Sequence, residues 1–384
     1  MKRVDTTKVC SLKKQFEQLH DPRSTTNRKH LLSEVCVMAI AAIIAGADGP
    51  TDMNRWAKLK QAWLETFLTL PFGIPSKDCF ARILARVDHF AFQECFLVWI
   101  KEIVQAKNRN TTSRTIGIDG KTMRRSGDEL SSLAPVHMVS AWCSELGMTL
   151  GQIATEEKSN EITAIPQLLD LIDIEGDTVT IDAMGCQKRI AKKIIDKKGD
   201  YALAVKGNQK TLYETIIATF DASVGEHDVD ADVHQFVTED HGHGREETRF
   251  HFVSALPKSS EIRANWPGAK AIAMVIRQSE DRHGNSSEDR RYYLLSRFMS
   301  GESFAHVARS HWGIENTCHW VLDVVFGEDQ HRTRDRQLAA ALSFLKRFTI
   351  GLIKQHPLKD SIIGKRKRAG WNDEFLWEIL EIQG

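Results

Sequence analysis

The sequence predicts an α/β protein: a mixed sheet with helices packed on it, preceded by an all-helical region and interrupted by a mainly β insertion. Three observations predict it. Residues 1–105 carry apolar side chains at helical spacing. Residues 114–206 alternate short β-branched runs with helical periods, in the order β, β, β, α, β, α, β. Residues 207–300 break that rhythm with strand-like runs around polar turns, and a helical period returns near 302.

Taken in order, "HLLSEVCVMAIAAIIAG" is apolar nearly all round and reads as a core helix ending at a glycine. "DMNRWAKLKQAWLETFLTL" is amphipathic, with Trp56, Leu59, Trp63 and Phe67 at helical spacing. Ser76 is a fair N-cap for a short helix carrying Phe80, Ile83 and Leu84. Lys77, Arg82 and Arg86 on that helix permit a helix-turn-helix reading, although an ordinary helical bundle is the commoner meaning of the pattern. "RTIGIDG" is a strand ending in Asp-Gly, and "HMVSAWCSE" and "MTLGQIATEE" flank a hairpin turn at Leu146 and Gly147. "EITAIPQLLDLIDI" is helical, "DTVTIDA" a buried-type strand ending in an acid, "CQKRIAKKIIDKKG" an amphipathic helix, and "DYALAVKGN" a further strand.

Bulk properties narrow the function classes. The 384 residues are 42% hydrophobic, enough for a sizeable core. Lys plus Arg number 52 and Asp plus Glu 51, so any nucleic-acid surface must be a local patch. Seven scattered cysteines with no CxxC pair argue against a disulfide framework or a structural zinc site and fit a reducing compartment. "MKRVDTTKVCSLKKQF" has no apolar h-region, and "VCVMAIAAIIAG" is too short to span a bilayer. The expectation is a cytoplasmic protein with no membrane partner.

Two acids end strands of the mixed sheet. Asp119 closes the first strand and Asp182 the strand after the first sheet helix. First and fourth strands of such an order can lie side by side. Gly120 and Ala183 follow the acids and leave room for a ligand. Converging carboxylates repel unless a cation sits among them, and hard oxygen ligands select Mg²⁺ or Mn²⁺. A strand-end Asp alone is more often a turn former. A third acid is expected from the late helix, where His311, Glu315, His319 and Asp323 fall every four residues. Two histidines and two carboxylates on one face also suggest zinc. Residues two turns apart lie about 12 Å apart along the axis, however, so His311, Glu315 and His319 do not readily ligate one ion.

The blocks "IGIDGKTMRRS", "VTIDAMGCQKRIAKKIIDKKGDYALAVKGNQ" and "HWGIENTCHWVLDVVFGEDQHR" closely resemble the H-repeat-associated, DDE-type insertion-sequence transposases of bacteria. The resemblance covers nearly the whole chain, and "AIIAGADG…GIPSKDCFARILARVD" looks like that family's helical associated domain. It implies a ribonuclease-H-like core in two parts, 106–206 and 301–384, around an insertion at 207–300, behind a candidate DNA-binding region at 1–105. It implies a triad of Asp119, Asp182 and Glu315, Mg²⁺ dependence with Mn²⁺ as substitute, and strand cleavage and joining at terminal inverted repeats. It also implies double-stranded end and target DNA as partners, and a homodimer or higher multimer on DNA. One departure stands out. Related transposases place Tyr, Arg and Lys around the Glu, where this sequence has Ala308, His311 and Leu322. Those outer roles do not carry over. Asp323 is the reserve third acid.

Candidate DNA contacts follow. Lys121 and Arg124 come just after "IDG", where they hold phosphate or merely sit in a solvated turn. Lys206, Asn208 and Gln209 lie just past a core strand on the acid side, and Arg309, His311 and His319 flank Glu315. "HGHGREETR" reads as a polar β-turn rather than a zinc site, with Arg245 or Arg249 as secondary DNA contacts. The tail carries Lys346, Arg347, Lys354, Lys359, Lys365, Arg366, Lys367 and Arg368 against Asp360 alone, which suggests a salt-sensitive DNA patch. Other readings of the chain are an inactive DNA-binding relic, a ribonuclease-H-like nuclease that cuts without joining, and a zinc hydrolase.

Overall fold

The segment Leu32–Ile44 (α2) has no polar stripe, and every one of its residues is buried. Its one acid, Glu34, is satisfied by the Thr69 backbone N–H and hydroxyl, both 2.7 Å away, and by Lys13 at 3.4 Å. The computed structural model describes residues 6–26, 28–106, 113–127, 133–155, 161–225, 233–242 and 245–381. Around α2 lie α1 (Thr6–Glu17), α3 (Pro50–Leu59) and α5 (Lys77–Leu84), with α4 (Gln61–Leu64) and α6 (His89–Ala106) outside them. The Ser76 hydroxyl caps α5 by accepting from the Cys79 N–H at 3.2 Å. That helix buries Phe80, Ile83 and Leu84 and leaves Lys77, Arg82 and Arg86 exposed.

The chain's last helices close over the same nucleus. α13 (Arg336–Gln355), α14 (Ile362–Trp371) and α15 (Asp373–Leu380) pack on α2. Trp63 meets Trp377 edge-on at 6.5 Å, and Phe96 meets Phe348 at 4.3 Å. One continuous apolar core runs from Leu12 to Leu380.

This packing removes half of the basic tail from the expected DNA patch, while Lys359, Lys367 and Arg368 stay exposed, Arg368 paired with Asp360 at 2.9 Å. Lys346, Arg347, Lys365 and Arg366 are all buried. Lys346 donates to the Phe326 carbonyl, Lys365 to the Ile353 and His356 carbonyls, and Arg366 to those of Val325 and Ile43. Arg347 pairs with Glu328 at 2.9 Å, and neither side chain has any exposed surface. Lys354 lies over the Trp142 ring at 4.6 Å. A charge run read without tertiary structure counts cations and misses the carbonyls and carboxylates that other elements bring to them.

The sheet contains β1 (Thr115–Thr122), β2 (His137–Cys143), β3 (Met148–Thr155), β4 (Thr178–Ile181) and β5 (Asp200–Val205), then β6 (Val233–Gly242), β7 (Arg245–Ala255), β8 (Ala271–Asp281) and β9 (Ser286–Leu295). Their order across the sheet is 3-2-1-4-5-9-8-7-6. α7 (Glu161–Leu171), α8 (Lys188–Asp196), α9 (Lys210–Gly225) and α10 (Glu261–Asn265) connect them. The expected first-to-fourth strand pairing is present: β1 runs parallel to β4, with Ile118 opposite Ile181. The Leu146–Gly147 hairpin joins β2 to β3, with Gly147 at φ +65°, where other residues are strained.

The insertion is not a separate layer. β9 pairs antiparallel with β5, so β6–β9 extend the same sheet, and α9 precedes them. The sequence shows local strand patterns but not which edge a strand will join. Of the "HGHG" stretch, His241 and Gly242 end β6 opposite Glu246 and Arg245, and His243 and Gly244 are outside the described residues.

α11 (Gly301–Ile314) packs on β1 and β4 along one side and on β6 and β7 along the other. Phe304, Val307 and Ala308 fill that second contact together with Val253, Ala273 and Tyr293. The extended sheet thus wraps around the helix that leads to Glu315.

Candidate active site

Pleating decides what each strand offers. On β1, Gly117, Asp119 and Lys121 face α11, while Ile118, Gly120 and Thr122 face the other way. Asp119 lies one residue beyond the Ile118–Ile181 pair, and Asp182 occupies the matching place just past β4, so the two acids sit side by side; β1 does not end at Asp119 as the sequence suggests but runs on to Thr122, because β2 pairs with it as far as His137. A Cβ at Gly117 would already touch the Ile314 side chain and the Thr180 hydroxyl at 3.6 Å and the His311 carbonyl at 3.7 Å. The glycine lets the helix approach until Glu315, the residue after Ile314, arrives over the strand ends.

The helix does not run straight through. Glu315–His319 form a π-turn between α11 and α12 (Trp320–Val324). An α-helix turns about 100° per residue, so four-residue steps overshoot and His311 to Asp323 would drift by about 120°. One i→i+5 turn takes up an extra residue and sets the phase back by about 100°. The even spacing in the sequence therefore does yield one face, because of the π-turn. His311 Nδ1 sits 3.1 Å from the Thr180 hydroxyl, His319 Nδ1 is 3.5 Å from Asp119 Oδ2, and Asp323 Oδ1 is 2.7 Å from Lys121 Nζ.

Burial pushes the Asp119 carboxyl up to about 7; the Gly120 N–H opposes this, and the charges of Glu315, Asp182 and Glu161 add to it. Burial drives His319 down to about 3, helped by the cations Arg347 and Lys121, so its imidazole is neutral. Burial also lowers His311. Asp119 Oδ1 accepts from the Gly120 N–H at 2.9 Å. Asp182 Oδ1 accepts from the Met184 and Gly185 N–H groups at 3.1 and 3.2 Å, so this acid is also a turn former. Glu315 is exposed.

Several expected contacts are placed otherwise. Lys121 is neither a solvated turn residue nor a free phosphate contact: it is buried in β1 between Asp323 and Asp329, which also engages the Asp323 reserve. Asn208 donates to the Ala183 carbonyl at 2.6 Å and Gln209 to the Cys186 carbonyl at 2.9 Å. Both amides brace the turn after Asp182. Arg309 pairs with Asp240 on β6 at 2.8 Å, and Arg249 pairs with Glu247. Arg124 and Lys206 are exposed, Arg124 lying 3.4 Å from Asp329. The room expected at Gly120 is taken by protein: a Cβ there would collide with Glu161 and His137, whose Oε1 and Nε2 lie 2.6 Å apart on the opposite face of the sheet.

Sequence reasoning missed Glu161 and Glu328, and counted Arg347 only as a tail cation rather than as the partner of Glu328. Arg347 Nε reaches the hydroxyl of Ser140, the β2 residue paired with Asp119, at 3.1 Å. The "GED" around Glu328 was a visible signal, but only folding shows that its partner lies on α13.

Among the described residues no three His, Cys, Asp or Glu side chains are already gathered round one point. The donor set nonetheless fits a hard divalent cation: three carboxylates, Asp119 on β1, Asp182 just past β4 and exposed Glu315, act on one another, and burial among them disfavours ionisation of Asp119.

A mixed sheet in this order, with acids at matching places on adjacent parallel strands, is a ribonuclease-H-like fold. The Transposase DDE domain model matches residues 111–350, and the DDE_Tnp_1-associated model matches residues 13–100. The chain is 38% identical to the putative transposase YncI of Escherichia coli O157:H7, over 97% of this chain and 95% of that one. It is 33% identical to the H repeat-associated putative transposase YhhI of Escherichia coli K12, over 97% of this chain and 99% of that protein. The chain belongs to the DDE transposase family, a family of DNA-acting enzymes. Among the described residues no helix is long and apolar enough to cross a membrane.

Proposed function

We propose that this chain cleaves DNA strands at the terminal inverted repeats of an insertion sequence and joins them to target DNA, with Asp119, Asp182 and Glu315 as its triad. The environment of Asp119 carries the reading: a buried carboxyl, raised to about 7, with two further acids of the triad acting on it from β4 and the π-turn. Such a gathering is unfavourable by itself and becomes favourable round divalent cations. Bound Mg²⁺, with Mn²⁺ as substitute, would activate the attacking water or 3′-hydroxyl and stabilise the leaving oxygen.

The chain's own residues divide the work. Backbone N–H groups fix Asp119 and Asp182, and Asn208 and Gln209 hold the turn behind Asp182. Neutral His319 orients Asp119 Oδ2 from one turn past Glu315. Exposed Arg124 and Lys206, just past β1 and β5, contact backbone phosphates. Work on paired ends calls for a homodimer or higher multimer on DNA, in the cytoplasm at the nucleoid.

The test uses purified protein, Mg²⁺ and a plasmid carrying the DNA that flanks the gene. Asp119→Ala, Asp182→Ala and Glu315→Ala should each reduce strand cleavage on the order of a thousandfold or more while remaining folded by circular dichroism. Wild-type cutting by any of the three would overturn the triad. Nicked products without joined ones would make the protein a nuclease, and binding without any cut an inactive relic.

A further inference from the structure

Strand β1 and the helix beyond it meet in step. Gly117 lies under Ile314 and the His311 carbonyl, Asp119 Oδ2 is 3.5 Å from His319 Nδ1, and Lys121 Nζ is 2.7 Å from Asp323 Oδ1. Two strand residues advance about 6.6 Å and four helical residues about 6 Å, so the two can run alongside each other in this ratio. The rises match but the phase of an α-helix does not, since each four-residue step turns about 40° too far. The π-turn at Glu315–His319 removes that error between the first contact and the last. Such turns are rare in helices, so contacts outside the helix must hold this one.

On the upstream side α11 is held by its packing on β1, β4 and the insertion strands. On the downstream side α12 is only five residues long, and Lys121 anchors it through Asp323. The lysine is buried, 8% exposed, and its charge needs both of its acids. Returning the π-turn to α-helix would swing Asp323 away by about 100° and leave the ammonium with Asp329 alone, at 3.3 Å. Asp329 is itself fixed, in the 3₁₀ turn Glu328–Gln330 that Arg347 ties down through Glu328.

We propose that Lys121 is a positioning residue for the third acid: by holding Asp323 it keeps the π-turn in place and so sets the direction in which Glu315 enters the site. The inference deepens the strand-cleavage reading and rests on it. Asp323 is then the anchor of the Glu315 helix and not a reserve metal ligand. The sign of one effect separates positioning from plain charge. An ammonium two residues along β1 from Asp119 repels a cation bound there, so by charge alone its removal tightens metal binding. Loss of a positioning contact loosens it.

The experiment measures Mn²⁺ binding to the full chain without DNA, from the electron paramagnetic resonance signal of the free ion, with amide hydrogen exchange in EDTA beside it. Lys121→Met keeps the length of the side chain and removes its charge. It should weaken Mn²⁺ binding roughly 10- to 100-fold and speed exchange across residues 315–324, with α13 exchanging as in wild type. Unchanged or tighter Mn²⁺ binding in Lys121→Met refutes the proposal. Asp323→Asn should speed exchange in the same segment, and the double variant should bind Mn²⁺ little more weakly than Lys121→Met alone. Losses that multiply in the double variant would mean that Lys121 does not act through Asp323, which also refutes it. Should Lys121→Met fail to unfold cooperatively in denaturant, Asp323→Asn decides, since it leaves Lys121 paired with Asp329: wild-type exchange across 315–324 then sinks the idea. Failure of the triad reads separately, as wild-type Mn²⁺ binding by Asp119→Asn.

Discussion

Asp119 and Glu328 are both acids in the interior of one sheet-and-helix core, and they are treated in opposite ways. Glu328 has no exposed surface and is answered by Arg347 at 2.9 Å and the Ser343 hydroxyl at 2.8 Å. Asp119 is less deep, with 20% of its side chain accessible, and burial, with the charges of Glu315, Asp182 and Glu161 adding to it, raises its carboxyl to about 7. A buried carboxylate with a guanidinium is a structural joint. One surrounded by like charge stores an unfavourable interaction that a ligand can relieve, which is the mark of a functional group.

The strongest way to break the comparison is at the joint. Arg347→Ala leaves Glu328 as an unpaired buried charge and should cost about 3–5 kcal/mol in chemical denaturation. Loss of under 1 kcal/mol would mean the pair is not structural. At the functional acid the sign should reverse. A raised folded-state pKa stabilises the fold below the ordinary carboxylate pKa near 4, and that stability is lost as pH rises through about 7. Metal-free Asp119→Asn should therefore match wild type near pH 4 and exceed it at pH 8, by at most about 4 kcal/mol. Equal stability at pH 8 would show that Asp119 is not under charge stress.

Mg²⁺ sharpens the same contrast. At a hundredfold excess over its dissociation constant it should stabilise wild type by about 2.7 kcal/mol and Asp119→Asn by much less, read as a shift in thermal midpoint. Arg347→Lys should leave that Mg²⁺ shift in place, since the joint sits behind the site rather than in it. The smallest effect is expected far from both acids. Ser76→Ala removes the cap on α5 and should cost about 1 kcal/mol without changing the Mg²⁺ shift.

Much of the fold was legible in the sequence because period and punctuation are local. The apolar run of α2, the Leu146–Gly147 turn and the β, β, β, α, β, α, β order each follow from residues adjacent in the chain. The candidate acids were legible as aspartates after short β-branched runs and as a Glu within a long motif, although β1 runs three residues past Asp119 to Thr122. The partners were not. Nothing near Lys121 announces Asp323 or Asp329, and nothing near Asn208 announces the Ala183 carbonyl.

By itself the sequence determined the element types, the placing of Asp119 and Asp182 after short β-branched runs, and the four-residue rhythm from His311 to Asp323. These depend on backbone propensity and side-chain period, which act over a few residues. Tertiary structure alone decided that the insertion would extend the sheet through β9, that Lys346, Arg347, Lys365 and Arg366 would be buried on carbonyls and Glu328, and that a π-turn would bring the polar rhythm into one face. Those outcomes depend on which distant groups meet after burial. Desolvation makes a buried charge or backbone carbonyl take whatever partner the packing supplies, and no local pattern encodes that choice.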